Sequence, residues 1–400
     1  KDKIVVKLSS GYNVSIDKAD VKSIKLLEKH KKEEKKEKDI QFTEGLPLIS
    51  ILHTGGTVGS KADYKTGAVS PQFSANEIIE KFPELKNIVN INSRLISSIL
   101  SSNIRFHNYN NIAKEIMKEL KNKPKGIIVT HGTDTLHYTA AALAFMLGNI
   151  HIPVILVGAQ RSSDRPSSDA ADNLVDAAKF IKETDFFGVG VCMHGSENDN
   201  YSVILPACKT RKMHTSRRDA FKVINGNIIA EIKEKITFFE KNKEKPKENL
   251  KLRLIKENLK IGILKVHPNM FASEVLFFKN YDALIIEGTG LGHMPVEKID
   301  SKSNENLKIF EAVKKLANKI PVIMTSQCIF GRIDMNVYSY GKNLLETGVL
   351  NNNFDIITEC AFIKAAWLLS NHKKEFKKLW KQNLRGEFND RILASQYLWG

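Results

Sequence analysis

Cysteine is scarce in this chain of 400 residues, and Cys192, Cys208, Cys328 and Cys360 lie far apart with no C-x-x-C among them. That pattern excludes a disulfide scaffold and fits scattered reduced thiols. The eleven histidines contain no H-E-x-x-H, and His131 and His137 have the wrong spacing to share one helix face, so metal-centred catalysis finds no support. No apolar run approaches the roughly 20 residues that span a bilayer. No basic-then-apolar leader opens the chain, so a cytoplasmic protein is expected. The glycine pair in "HTGGTVGSK" satisfies neither G-x-x-x-x-G-K-[ST] nor G-x-G-x-x-G, which removes the usual nucleotide-phosphate loops. Acidic residues are also in short supply, 45 against 61 Lys and Arg, for a net charge of +16. Such a surplus favours polyanions, RNA first among them. Many of those lysines, however, stand in mixed runs such as Lys29–Lys38 and Lys241–Lys247, where they solvate helices and linkers.

Hydrophobic residues make up 42% and charged residues 26%, the balance of a water-soluble globular chain. The length predicts two domains with a small appendage. Short strands at 3–8 and 14–16, joined through Ser10-Gly11-Tyr12-Asn13, read as a small β module entered without a leading Met, hence as a truncated one. A charged connector follows. From Leu48 the pattern alternates: apolar strands at 48–52, 126–129, 154–157 and 189–193, helices near 108–121, 134–147 and 168–183, and a capping box at Ser74-Ala-Asn-Glu77. Asn225-Gly226 marks a hairpin turn. A second alternating region carries strands at 261–266, 282–286 and 320–324, with helices near 271–279, 303–318, 358–370 and 373–383. Buried strands separated by crossover helices predict an α/β fold with mostly parallel sheets. The expected domains are 1–45 (β module and connector), 46–240 (large α/β domain), 241–260 (linker) and 261–400 (smaller α/β domain).

Three stretches carry chemistry. In "ILHTGGTVGS" a strand opens into Thr54-Gly55-Gly56-Thr57, where glycines would permit a tight bend that turns one threonine towards a ligand at the strand's carboxyl end. In "GIIVTHGTDT" a second strand opens into Thr133 and Asp134 at the start of a helix. There free N–H groups favour an anion, although Asp134 could simply cap the helix. The third stretch, Lys209–Ala220, holds five cations. One lysine near Thr133 and Asp134 would activate a threonine hydroxyl; taken alone, the segment reads equally as an RNA-facing patch.

Together these stretches resemble the bacterial-type L-asparaginase superfamily, in which "TGGT" and "HGTDT" supply two threonines and an aspartate, with a lysine later in the chain. The resemblance is closer to the asparaginase-like glutaminase subunit of archaeal glutamyl-tRNA(Gln) amidotransferases. It rests on the leading β module, "DYKTGAVSP", "GAQRSSDRPSSDA", "RKMHTSRRDAF" and "NLRGEF", and covers nearly the whole chain. It implies two asparaginase-like α/β domains, with Thr57 as nucleophile, Tyr64 as its activator on a mobile lid, and Thr133, Asp134 and Lys212 as the second catalytic set. Ser101, Gly56 and Asp134 would bind substrate. Two positions depart from the family pattern: Ser102 stands where a Gln or Glu usually contacts the substrate, and Leu291 replaces an Asn of many plain asparaginases. The resemblance further implies a partner subunit carrying the kinase and transamidase site with its ATP and Mg, and Glu-tRNA(Gln) held mainly by that partner. Glutamine or asparagine would be the amide donor, with a homodimer of this chain inside a heterotetramer. No metal or cofactor is expected on this chain. The rival expectation is a stand-alone asparaginase acting on free asparagine.

Overall fold

A computed structural model describes residues 3–7, 13–25, 42–56, 60–62, 69–71, 74–161, 167–240 and 247–397. An antiparallel pair, β1 (Lys3–Lys7) and β2 (Asn13–Asp17), opens the chain. The predicted turn at 10–12 and the connector at 29–38 lie outside the described residues.

The main sheet is assembled from β3 (Leu48–His53), β6 (Asn90–Leu95), β7 (Gly126–Thr130), β8 (Pro153–Val157), β9 (Gly188–His194), β10 (Ser202–Pro206), β13 (Ala230–Ile232) and β14 (Ile236–Phe238). Two short pairs stand apart from it: β4 (Ser60–Ala62) with β5 (Val69–Pro71), and β11 (Thr210–Lys212) with β12 (Phe221–Val223). The spatial order is β14-β13-β10-β9-β8-β7-β3-β6. From β6 to β9 the neighbours run parallel, and β10, β13 and β14 close the other edge antiparallel.

The parallel strands are apolar on both faces because both are covered. On β8, Val154 and Leu156 enter the core beneath α2 (Phe106–Glu119) and α3 (Leu136–Leu147). Ile155 and Val157 enter the opposite core with α1 (Ala75–Lys81) and α4 (Ala170–Glu183). Each such side chain fully buried contributes about 1.5–3 kcal/mol. The capping box at Ser74 and Glu77 starts α1 as predicted.

The C-terminal region forms a parallel three-stranded sheet, β15 (Ile261–Lys265), β16 (Ala283–Gly288) and β17 (Val322–Ser326). Its helices are α5 (Ala272–Leu276), α6 (Asn304–Ala317), α7 (Ser339–Glu346), α8 (Thr358–Asn371) and α9 (Phe376–Trp380). Strand β16 shows the same two-faced alternation. Leu284 and Ile286 pack in the core with α5 and α6, while Ala283 and Ile285 join the large core through α8. Helix α8 lies between α3 and β16 and is buried almost all round, which accounts for its nearly continuous apolar sequence. Residues 250–259 lie against α2, pinned by Asn110, whose amide donates to Ile255 O (2.7 Å) and whose Oδ1 accepts from Ile255 N (3.0 Å).

Three sequence expectations change. Asn225-Gly226 does not turn a hairpin: Val223 and Ala230 belong to different sheets, and the antiparallel turn falls at 233–235 instead. Asn225 does take the left-handed conformation, at φ 53°, but its side chain reaches Gly331 and Asp355 in the C-terminal region. The single helix predicted over 373–383 is a 3-10 turn at 373–375 followed by the short α9. Helix α3 starts at Leu136 with Thr135 as its N-cap, so Asp134 precedes the helix and does not cap it.

The "NLRGEF" segment is held by a fully buried ion pair. Lys364 Nζ of α8 lies 2.6 Å from Glu387, both side chains at 0% exposure, and also donates to Trp380 O and Gln382 O. Glu387 accepts in addition from Leu384 N and Arg385 N, and Arg385 Nε donates to Ala144 O at the end of α3. Removing one partner of such a pair strands a charge in the core. Lys364→Met is therefore expected to cost about 3–5 kcal/mol, measured as a lower midpoint in urea unfolding. A loss under about 1 kcal/mol would show that the tail does not depend on this pair.

Candidate active site

The site gathers at the carboxyl ends of β3 and β7, two interior parallel strands, where His53 pairs in register with Thr130. The first polar loop is fixed from below. Thr54 is buried, and both its N–H and its hydroxyl donate to Thr130 O, at 3.1 and 2.9 Å. Of the two threonines around the glycine pair, Thr54 is thus a brace. Thr57 lies outside the described residues, as does Tyr64.

The glycines are dictated by close approach. Gly55 (φ 112°) and Gly56 (φ 84°) both occupy the left-handed region. A Cβ on Gly55 would lie 2.6 Å from Ile99 O, and one on Gly56 would lie 2.7 Å from Gly132 N. The "TGG" loop therefore rests directly on the "HGTDT" loop, backbone against backbone.

The second loop packs just as closely. A Cβ on Gly132 would meet Ser101 Oγ at 2.8 Å, and one on Gly158 would meet Thr133 Cγ2 at 2.8 Å. Thr135 Oγ1 donates to Ser101 O (2.7 Å). Lys212, at the end of β11 and opposite the buried Phe221, completes the cluster. Its Nζ donates to Thr133 Oγ1 and to Asp134 Oδ1, both at 2.9 Å. The lysine side chain is 11% exposed and Asp134 is 69% exposed. Gly56, Ser101, Thr133, Asp134 and Lys212 are thus neighbours in space, although Lys212 follows Asp134 by 78 positions. The departure at Ser102 lies on an exposed position beside Ser101, and Leu291 lies on an exposed turn after β16.

Chemically, the arrangement offers a threonine hydroxyl polarised by an ammonium, an exposed carboxylate beside it, and a glycine-lined approach. That set suits acyl transfer. Its ammonium would stabilise developing negative charge, and the carboxylate would hold a substrate cation.

Comparison with known proteins agrees with this geometry. The family model described as "Asparaginase, N-terminal" matches residues 48–244, and "Glutaminase/Asparaginase C-terminal domain" matches 260–380. The thermostable L-asparaginase from Thermococcus kodakarensis superposes with a TM-score of 0.76 at 26% identity, over 86% of this chain and all of that one. The D-type subunit of glutamyl-tRNA(Gln) amidotransferase from Methanococcus maripaludis is 42% identical over 98% of this chain and 93% of its own length. Its counterpart of the same name from Pyrococcus furiosus is 41% identical over 99% and 90%. The chain belongs to the family of glutamyl-tRNA(Gln) amidotransferase D-type subunits.

In this member of the D-type family the basic segment is engaged in ion pairs. All five of its cations stand opposite carboxylates: Lys209 with Asp355, Arg211 with Glu359, Lys212 with Asp134, Arg217 with Asp219 and Glu197, and Arg218 with Asp199. Lys209 and Arg211 find partners far away in sequence and tie the segment to the C-terminal region, whereas Arg217 pairs locally with Asp219.

Sequence reading missed a layer of buried histidines below the loops. His53 bridges Thr130 Oγ1 (2.8 Å) and Ser93 Oγ (2.9 Å). His131 Nδ1 is 2.7 Å from Gly132 O and its Nε2 2.9 Å from Thr139 Oγ1. His137 faces Glu359 at 3.9 Å. The available signal was the position of His53 and His131 directly after apolar strand runs and of His137 within the apolar helix α3. Burial holds these imidazoles well below their ordinary 6.5, His53 at about 3, His131 at about 4 and His137 at about 3. In the unfolded chain all three take up protons as pH falls through 6.5, whereas the folded protein resists until near 4 and below. Their contribution is complete above 6.5 and is lost as pH drops from there. Each then removes about 1.4 kcal/mol per pH unit, so the three together remove about 4 kcal/mol per unit. Urea unfolding at about pH 7.5, 6.5 and 5.5 should show stability falling steeply only over the last step. Equal stability at the two lower pH values would contradict neutral burial.

Proposed function

We propose that this chain is the glutaminase subunit of a glutamyl-tRNA(Gln) amidotransferase. It hydrolyses the side-chain amide of glutamine through a threonyl acyl-enzyme and supplies the ammonia to a partner subunit, which converts Glu-tRNA(Gln) to Gln-tRNA(Gln). The observation that carries the reading is the double donation of Lys212 to Thr133 and Asp134 beside the two-glycine loop.

In this scheme Thr57 attacks the carboxamide carbon while Tyr64 relays the proton, taking the threonine's as it gives its own phenolic proton to the amide nitrogen, and the C–N bond then breaks to release ammonia. Water, oriented by Thr133, then attacks the ester carbonyl and its proton passes through Thr133 to the departing Thr57 oxygen, freeing the acid, while the Lys212 ammonium holds Thr133 and offsets the negative charge. Donors fixed around Thr133 stabilise the oxyanion, each worth about 3 kcal/mol, on the order of a hundredfold in rate. Asp134 grips the substrate α-ammonium: Lys212 engages Oδ1, and the carboxylate stays largely open to solvent. Ser101 takes the α-carboxylate, and Gly56, seated against the 131–132 backbone, borders the substrate pocket with its main chain. The partner subunit carries the kinase and transamidase site with its ATP and Mg and makes most of the tRNA contacts. The working unit is a heterotetramer built on a homodimer of this chain in the cytoplasm. Among the described residues no helix is long and apolar enough to cross a membrane.

Ammonia release should be measured on glutamine and on asparagine, with and without the partner subunit and tRNA. Turnover of glutamine that rises when partner and tRNA are present supports the reading. Full turnover of free asparagine by the isolated chain, indifferent to both, would make it a stand-alone L-asparaginase.

A further inference from the structure

A second cluster of ligating side chains stands apart from the candidate active site, at the end of β9. His194 closes that strand and is buried to 1% exposure. Its Nδ1 lies 2.7 Å from Asn173 Oδ1 on α4. Asn173 cannot present its amide nitrogen there, because Nδ2 already donates to Gly158 O (3.0 Å) and Asp169 Oδ2 (3.1 Å). Oδ1 is therefore the acceptor, His194 carries a proton on Nδ1, and the ring turns Nε2 outward.

That nitrogen is buried and has no hydrogen-bond partner. It faces Asp172 Oδ2 at 3.7 Å and Asp199 Oδ1 at 3.5 Å, and one ligand atom from each of the three residues lies within 4.8 Å of the others. These separations are long for hydrogen bonds. They come close to the spacing of donors around a shared cation: with bonds of about 2.0–2.2 Å, tetrahedral ligand atoms stand roughly 3.3–3.6 Å apart, so the exposed carboxylates need only a small inward shift. The ring held by an outer-shell amide is also the usual arrangement of a metal-bound histidine.

We propose that Asp172, His194 and Asp199 bind one divalent transition-metal cation, through an imidazole and two carboxylates. The imidazole selects zinc-like first-row ions over magnesium or calcium. Both carboxylates are about half exposed, at 51% and 60%, which leaves the remaining coordination positions to water. Arg218 also donates to Asp199 Oδ1 and to Glu197 O, so its charge opposes the cation and keeps affinity moderate. The site is structural: the ion ties the end of β9 and the loop after it to α4. Through Asn173 it also supports Gly158, on which Thr133 packs. The proposal is independent of which amide the active site hydrolyses.

The test is zinc titration of the EDTA-stripped full chain near neutral pH in competition with a chromogenic chelator, with thermal unfolding as a second readout. One equivalent should bind and raise the unfolding midpoint. Asp172→Asn and Asp199→Asn, at exposed positions that leave the fold intact, should each weaken binding at least about tenfold and remove the thermal shift. His194→Gln should abolish binding. Absence of a stoichiometric equivalent, unchanged affinity in the two aspartate variants, or tighter binding of magnesium than of zinc would overturn the assignment.

Discussion

Lys212→Met is expected to lower glutamine hydrolysis by at least about a hundredfold, chiefly in kcat, with the far-ultraviolet circular dichroism spectrum unchanged. The thioether approximates the lysine stem in length, so the pairing of β11 with Phe221 on β12 survives. What disappears is the ammonium that donates to Thr133 Oγ1 and Asp134 Oδ1. One lost donor to developing negative charge accounts for about 3 kcal/mol of barrier. The cost in stability is small, because the carboxylate left behind on Asp134 is mostly exposed and becomes hydrated, while the methionine refills the largely enclosed lysine slot. Lys212→Arg should not rescue, since a planar guanidinium cannot reproduce one ammonium shared between two oxygens. Near-normal turnover in Lys212→Met would remove the lysine from the chemistry.

Thr57→Ala is expected to abolish turnover of glutamine altogether, a larger effect than at Lys212, because it removes the attacking atom and not a polarising neighbour. Thr57→Ser should keep measurable activity, since the hydroxyl remains. The far-ultraviolet circular dichroism spectrum should be unchanged, showing that the fold is kept. Unchanged ammonia release by Thr57→Ala would transfer the nucleophile role to Thr133.

The parallel sheet was legible because its strands are buried on both faces, and continuous apolar runs such as Gly126–Thr130 announce that directly. The left-handed need at Gly55 and Gly56 was legible from the strand-to-loop switch, yet its cause was not. At Gly56 the obstacle is the backbone of residues 131–132, reached only after the fold closes. Thr54 and Thr57 looked alike in sequence, and the bond from Thr54 to Thr130 O assigns Thr54 to bracing. In the basic segment the approach of one lysine to Thr133 and Asp134 was legible, but the other partners were not. Lys209 and Arg211 find Asp355 and Glu359, with 146 positions between the first pair, and no local pattern encodes such pairings. Asn225 signalled its backbone conformation correctly but not its partners across the C-terminal region. Asp172, His194 and Asp199 converge from a helix, a strand end and a loop, so a search for helix-face histidine motifs passes over them.

A threonyl ester formed in a cleft built by Gly56, Thr133, Asp134 and Lys212 is the central step of the proposed chemistry. Acid-quenching the protein within milliseconds of mixing with glutamine, followed by mass spectrometry of its peptides, tests that claim most directly. A γ-glutamyl adduct on the peptide bearing Thr57, absent after Lys212→Met, is the predicted result. Ammonia released with the adduct on Thr133, or with no adduct on either threonine, would contradict it.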